Sequence, residues 1–223
     1  ERGIEVVALK GAQALPQLYA DVGLRPLADL DLMVREEAFP GAAAALRALG
    51  YRRSCVGQDD VDAANLRQGY RLPFDHRSRA PVDLHTALLD RRADGARAVA
   101  EIWAESRPCE DGKALRWLAP SHFLLFTAWH YTKHLELSYG PLFAVVDLLL
   151  ALRAWRDAID WPGFWQTAAR WGVEAEVAAV VDHLGAPRNL LCGRQHANAV
   201  GRGKEDHIVG FLALGIVGGN DDV

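Results

Sequence analysis

The sequence has few cysteines, and none of them are spaced as zinc ligands. Its 223 residues include three cysteines, Cys55, Cys109 and Cys192, which lie far apart along the chain. Structural zinc sites take cysteine or histidine ligands in closely spaced pairs, so a site of this class is not indicated. A chain with so few thiols has no disulfide framework, and we expect reduced cysteines in a cytoplasmic protein.

Long apolar runs and an excess of positive charge are also missing. No stretch reaches the roughly 20 apolar residues that a membrane-spanning helix needs, and no signal-peptide pattern is present. We therefore expect no membrane partner. The formal net charge is −4, so no global positive field attracts a long nucleic acid, and a DNA or tRNA partner is not favoured.

What the sequence does contain is a pair of aspartates inside the apolar run at residues 27–34. Successive side chains of a strand point to opposite faces, so Asp29 and Asp31 would share one face, with Cα atoms roughly 6.5 Å apart. Each carboxylate opposes ionisation of the other, and a divalent cation such as Mg²⁺ relieves that conflict. A polar strand edge, or a turn after Pro26, would explain the same residues without a metal.

A strand, a glycine turn and a helix are predicted before the aspartates. Residues 6–9 are typical of a short buried strand, Lys10 and Gly11 follow, and residues 12–19 favour a short helix. The N–H groups at a helix N-terminus bind phosphate, glycine allows close approach of the backbone, and lysine adds positive charge. A phosphate site beside two metal-binding carboxylates is what nucleotidyl transfer from a nucleoside triphosphate requires.

These segments resemble the uncharacterised nucleotidyltransferase family of the DNA-polymerase-β-like superfamily. The residues that carry the resemblance are 9–12, 18–19, 24–26, 29–34, 50–51, 82–85, His130, Lys133, His134 and Asp147. The resemblance implies an α+β fold, with a small mixed β-sheet nucleotidyltransferase core, flanking helices and a C-terminal helical bundle. The sequence pattern changes from mixed strands and helices to helices alone, and we place the end of the core at this change. This gives a core at 1–92, a helical domain at 93–187 and a tail at 188–223.

The later elements are predicted from apolar periodicity and from capping and turn residues. Helices are expected at 35–49, 93–106, 120–137, 141–155, 160–171 and 174–184, and a hairpin from strands at 70–74 and 81–85. Pro73 cannot donate a backbone hydrogen bond, so its strand is predicted to lie at the edge of the sheet.

The resemblance also assigns the site residues. Asp29, Asp31 and Asp83 would be catalytic and would hold Mg²⁺, as one ion or two. Asp83, on a later strand, would complete the metal cage or accept the proton of the attacking hydroxyl. The residues expected to bind the nucleotide are Lys10, Gly11, Ala12, Arg25, His130, Lys133 and His134.

His85 and Asp147 are expected to contact the acceptor or to support the site. Structural explanations stay open for several of these residues. Asp83 would then be a solvated strand residue, His85 and the two histidines of the helix would pack in the fold, and Asp147 would form an ion pair between helices. His130 and His134 are four residues apart, but Tyr131 stands where zinc hydrolases carry glutamate, so a zinc protease is rejected.

The predicted function is Mg²⁺-dependent transfer of a nucleoside monophosphate from a nucleoside triphosphate to an unknown acceptor hydroxyl, with release of pyrophosphate. The superfamily usually has Gly-Ser or Gly-Gly where this chain has Gly11 and Ala12, so a serine hydroxyl for the triphosphate is missing. Two alternatives therefore stay open. One is a catalytically degenerate module that binds a nucleotide or scaffolds a partner, and the other is a toxin-type enzyme that modifies tRNA.

Overall fold

The chain falls into two units, which divide between Phe123 and Leu124. A computed structural model describes residues 3–54, 71–89, 94–110, 114–136 and 142–184, without the side chains of 134–136 and 183. The tail predicted at 188–223 lies outside the described residues. None of the helices in the described ranges is both long enough and apolar enough to cross a membrane.

Within the described residues, the first unit is built on a mixed sheet of seven strands. The strands are β1 (Val6–Ala8), β2 (Leu30–Met33), β3 (Arg52–Arg53), β4 (Leu72–Asp75), β5 (Val82–His85), β6 (Arg107–Pro108) and β7 (Leu115–Trp117). Their order across the sheet is β3-β4-β5-β2-β1-β7-β6. The pairs β2–β5 and β1–β7 are parallel, and the other neighbours are antiparallel. Together with the helices, this mixed sheet confirms the predicted α+β class.

The helices occur where apolar periodicity predicts them. They are α1 (Lys10–Leu18), α2 (Phe39–Ala48), α3 (Gly95–Glu105), α4 (Pro120–Glu136), α5 (Leu142–Trp155), α6 (Trp161–Trp171) and α7 (Glu174–His183). The helix expected from residue 35 begins later, because a separate 3₁₀ turn at Glu36–Ala38 precedes α2. The division between the two units falls within α4.

One face of the sheet packs against α2, and the opposite face carries several of the predicted site residues. Val34, Val82 and Leu84 are buried in one apolar cluster with Phe39 and Phe74. Because side chains alternate along a strand, the residues between these apolar positions point to the opposite face. That opposite face carries Asp31 and Met33 of β2 and Asp83 and His85 of β5.

The prediction that Pro73 places its strand at the sheet edge is wrong. Strand β4 is flanked by β3 on one side and β5 on the other. The carbonyl of Pro73 accepts the N–H of Ser54 at 3.1 Å, and in an antiparallel ladder the nitrogen of the same residue faces the same side. Since β3 has only two residues, the proline forgoes a single bond at the end of a short ladder.

The division into two units falls after Phe123, and the domain boundary expected between residues 92 and 93 stays a prediction. After α3 the chain returns to the sheet as β6 and β7, and β7 pairs in parallel with β1. The change from mixed to helical composition therefore coincides with one helix of the first unit.

Candidate functional site

Two of the predicted carboxylates lie side by side on neighbouring parallel strands. Asp31 of β2 and Asp83 of β5 are register partners, and each residue is only 4% exposed. Partners in a ladder point to the same face of the sheet, so both carboxylates project from the face opposite the apolar cluster. The sheet therefore brings together two acidic side chains that are distant in sequence.

Asp31 is held by two basic side chains. Its Oδ1 accepts a hydrogen bond from Nζ of Lys10 at 2.9 Å and lies 2.9 Å from Nε2 of His85. Burial by itself would raise the pKa of Asp31, but the hydrogen bond from His85 and the charge of Lys10 outweigh it and hold the pKa well below its usual range. Asp31 therefore stays ionised in this buried position.

Asp83 has a partner that was not predicted from the sequence. Its Oδ2 forms an ion pair with Nη1 of Arg71, whose side chain is about half exposed. The predicted hairpin carries the signal that could have found this residue. Pro73 lies opposite Asp83 in the β4–β5 register, and Arg71, two positions earlier, falls on the same face and in diagonal reach.

Asp29 lies directly before β2 and is half-buried. Its pKa is raised, first by burial and then by the negative charges of Asp31 and Asp83, while Lys10 and Arg71 offset part of this effect. The charges of Asp31 and Asp83 thus act on Asp29, which is destabilised as an anion. The shared metal-binding role of Asp29 and Asp31 stays a prediction.

The site fits a divalent cation. Asp31, Asp83 and His85 each offer a ligand atom, and these atoms all lie within 4.8 Å of one another. Around an octahedral ion with bonds of about 2.1 Å, neighbouring ligands are separated by about 3 Å and opposite ligands by about 4.2 Å. Carboxylate oxygen and imidazole nitrogen are both common ligands of divalent metals. The structure also places His85 beside the carboxylates rather than apart from them.

The start of α1 lies against Arg25. A Cβ atom on Gly11 would lie 2.5 Å from Nη1 of Arg25 and 2.5 Å from Cδ2 of Leu27, so these side chains pack where only glycine leaves room. The N–H of Leu9 donates to the carbonyl of Asp31 at 3.0 Å, which fixes the start of α1 beside β2.

The backbone at this helix N-terminus is partly engaged already. The N–H of Ala12 donates to the carbonyl of Leu9 at 3.0 Å, so phosphate binding by Ala12 would have to compete with this bond. Lys10 has a φ of 45°, a conformation that is uncommon for residues other than glycine. The phosphate-binding roles of Lys10, Gly11, Ala12 and Arg25 stay predictions.

A buried glutamine fixes α1 to the sheet. The side-chain amide of Gln13 donates to the carbonyl of Leu118 at 3.1 Å, and its oxygen accepts the N–H of Leu118 at 2.9 Å. Gln13 is 1% exposed, so both polar groups of the amide are satisfied inside the protein. This clamp sets the position of the helix whose first residue reaches Asp31.

Four of the predicted site residues belong to the second unit. His130 contacts the ring of Phe126 with centroids 5.9 Å apart, and Nζ of Lys133 lies 5.2 Å from the centroid of the Trp129 ring. Asp147 is buried in α5. The side chain of His134 lies outside the described part of the chain. Their roles toward nucleotide or acceptor, and the acceptor role of His85, stay predictions.

Comparison with protein families assigns the chain to a family. The model of a family described as uncharacterised nucleotidyltransferase matches residues 1–186. No curated protein matches the chain. Among solved structures, the solution structure of the antibiotic-resistance factor ANT(2'')-Ia is similar at 15% identity and a TM-score of 0.47, and the match covers 88% of this chain and 89% of that one.

Proposed function

Since the chain belongs to the uncharacterised nucleotidyltransferase family, we propose that it moves a nucleoside monophosphate from a nucleoside triphosphate to an acceptor hydroxyl in an Mg²⁺-dependent reaction. The acceptor oxygen forms a bond to the α-phosphorus, the bond from that phosphorus to the bridging oxygen breaks, and pyrophosphate leaves. The proton of the hydroxyl passes to a carboxylate, a role that we give to Asp83.

The observation that carries this proposal is the register pairing of Asp31 with Asp83, with Asp29 two residues before Asp31. These three carboxylates would hold Mg²⁺, with His85 beside them. When bound, the metal supplies positive charge that offsets the charge of the triphosphate during transfer. Asp31 is already ionised and buried, so it binds a cation without first losing a proton.

Lys10 and Arg25 are the side chains that we expect to contact the phosphates. Both lie at the start of α1, where positive charge and the helix N-terminus attract anions. Gly11 lets the guanidinium of Arg25 approach this turn closely. The missing serine hydroxyl after Gly11 is then replaced by charged side chains rather than by another hydroxyl.

From the low cysteine content and the net charge of −4, we place the reaction in the cytoplasm, on an acceptor other than a long nucleic acid.

The proposal is tested by isothermal titration with ATP, CTP, GTP and UTP, with Mg²⁺ and with EDTA, followed by an assay of pyrophosphate release. We expect binding of at least one nucleotide that needs Mg²⁺ and that is lost when Asp31→Asn and Asp83→Asn are combined.

The matched control is Asp75→Asn, at an exposed aspartate that ends β4, and it should bind as the wild type does. Nucleotide binding that does not depend on Mg²⁺, or that is unchanged by the double substitution, would contradict the proposal. Mg²⁺-dependent binding without pyrophosphate release across many acceptor classes would instead favour a degenerate nucleotide-binding module.

A further inference from the structure

One oxygen of each of the two buried carboxylates that we propose as metal ligands is engaged by a cationic side chain of the same chain. Oδ1 of Asp31 accepts a hydrogen bond from the ammonium of Lys10 at 2.9 Å, and Oδ2 of Asp83 forms an ion pair with the guanidinium of Arg71. Like charges at such distances repel strongly in a partly buried site. A divalent ion that binds these oxygens must therefore displace the ammonium and the guanidinium.

We propose that Lys10 and Arg71 move between two anionic partners, the carboxylates of Asp31 and Asp83 in one state and the phosphates of the substrate in the other. This inference rests on the proposed function. The charged ends of both side chains already lie at the carboxylates that would hold the metal, so a phosphate bound to the same metal would lie within their reach. The exchange needs only a change of side-chain rotamer.

The environment of Lys10 indicates why the exchange depends on the nucleotide. Its side chain is only 16% exposed, so an ammonium displaced by Mg²⁺ alone would have little water to solvate it. Arg71 is half exposed and is displaced at lower cost. A triphosphate gives both groups a new anionic partner, so Mg²⁺ and nucleotide should each raise the affinity for the other.

A purely structural role for the two ion pairs predicts a different result. If Lys10 and Arg71 only orient the carboxylates for the metal, then removing either side chain loosens the site, and the affinity for Mg²⁺ falls. If they are exchanged for the metal, removing either one takes away a competitor, and the affinity for Mg²⁺ alone rises. The two roles thus predict opposite signs for the same measurement.

The test uses Lys10→Met and Arg71→Met in the full chain, because methionine keeps much of the side-chain length without the charge. Isothermal titration measures Mg²⁺ alone, and then the α,β-methylene analogue of whichever triphosphate binds the wild type, in saturating Mg²⁺. We expect the affinity for Mg²⁺ alone to rise about tenfold in each variant and the affinity for the analogue to fall about tenfold. Arg79→Met, at an exposed arginine of the turn between β4 and β5, should change neither.

Circular dichroism first establishes that each variant is folded. Arg71 is half exposed, so Arg71→Met keeps the inference testable if Lys10→Met does not fold. An unchanged or reduced affinity for Mg²⁺ in the folded variants overturns the exchange but leaves the proposed function standing. A wild type that binds neither Mg²⁺ nor the analogue overturns the proposed function, and the exchange with it.

Discussion

The same substitution at two aspartates two residues apart should change the stability of this protein in opposite directions. Asp31→Asn removes a carboxylate that Lys10 and His85 hold at 2.9 Å each. Asp29→Asn removes a carboxylate whose ionised form is disfavoured by burial and by neighbouring negative charges. Both substitutions keep the size of the side chain, so the difference between them reports the electrostatics of each position.

The structure sets the size of each effect. Asp31 and Lys10 are both mostly buried, and breaking a buried ion pair typically costs about 3 to 5 kcal/mol. Asparagine keeps one oxygen that accepts a hydrogen bond, and the remaining carboxylates still attract Lys10, so we expect a loss of about 2 to 3 kcal/mol. For Asp29→Asn we expect a smaller change of opposite sign, a gain in unfolding free energy, because the removed charge was unfavourable in the folded state and solvent screens part of that cost.

The pH dependence of these two effects follows from the directions of the pKa shifts. The folded-state pKa of Asp31 is lowered from 3.8, so its contribution to stability is complete above that value and is lost as the pH falls through the lowered pKa. The folded-state pKa of Asp29 is raised from 3.8, so its unfavourable contribution is complete above the raised pKa and absent below 3.8. Asp29→Asn should therefore match the wild type below pH 3.8, whereas Asp31→Asn approaches it only as the pH falls further.

Urea unfolding in EDTA, from pH 3 to pH 7, measures all three proteins without metal. Asp75→Asn, at the exposed end of β4, is the control and should stay within about 0.5 kcal/mol of the wild type. The reasoning is refuted if Asp29→Asn and Asp31→Asn shift the unfolding free energy at pH 7 in the same direction. It is also refuted if Asp29→Asn raises the unfolding free energy at pH 3 as much as it does at pH 7.

Two further predictions concern α1. Gly11→Ala should displace Arg25, because Nη1 of Arg25 would lie 2.5 Å from the new Cβ. We expect it to weaken Mg²⁺-nucleotide binding several-fold in titration calorimetry. Gly41→Ala is the control and should leave binding unchanged, because its new Cβ meets only Cδ1 of an isoleucine at 3.2 Å. Gln13→Leu should lower the unfolding free energy by about 2 to 4 kcal/mol in urea, because it leaves the buried N–H and carbonyl of Leu118 without their partner; an unchanged midpoint would contradict this.

The local parts of the fold could be predicted from the sequence because they depend on neighbours along the chain. Apolar periodicity placed the helices within a few residues, and the hairpin of β4 and β5 follows from two strands joined by a polar turn. The predicted shared face of Asp29 and Asp31 assumed a strand that includes both residues, whereas β2 begins at Leu30.

The rest of the sheet could not be predicted, because it is set by pairing between distant segments. Nothing near β7 indicates that it will pair in parallel with β1. The same holds for the site. The contact between His85 and Asp31 depends on the parallel register of β2 with β5. The sequence pattern of a strand does not specify which strand it pairs with or in which register.

The arrangement of charges is better explained by function than by stability. Asp31 and Asp83 occupy buried strand positions where apolar residues would pack without desolvating a charge, and buried ion pairs are often no more stabilising than apolar replacements. Here the pairs come with a third carboxylate, Asp29, whose pKa is raised by the charges around it. A group of anions that is only partly balanced by Lys10 and Arg71 is a poor way to hold a sheet together. It suits the divalent cation that we propose, because such a cation would remove the remaining repulsion and release two basic groups toward an anionic substrate.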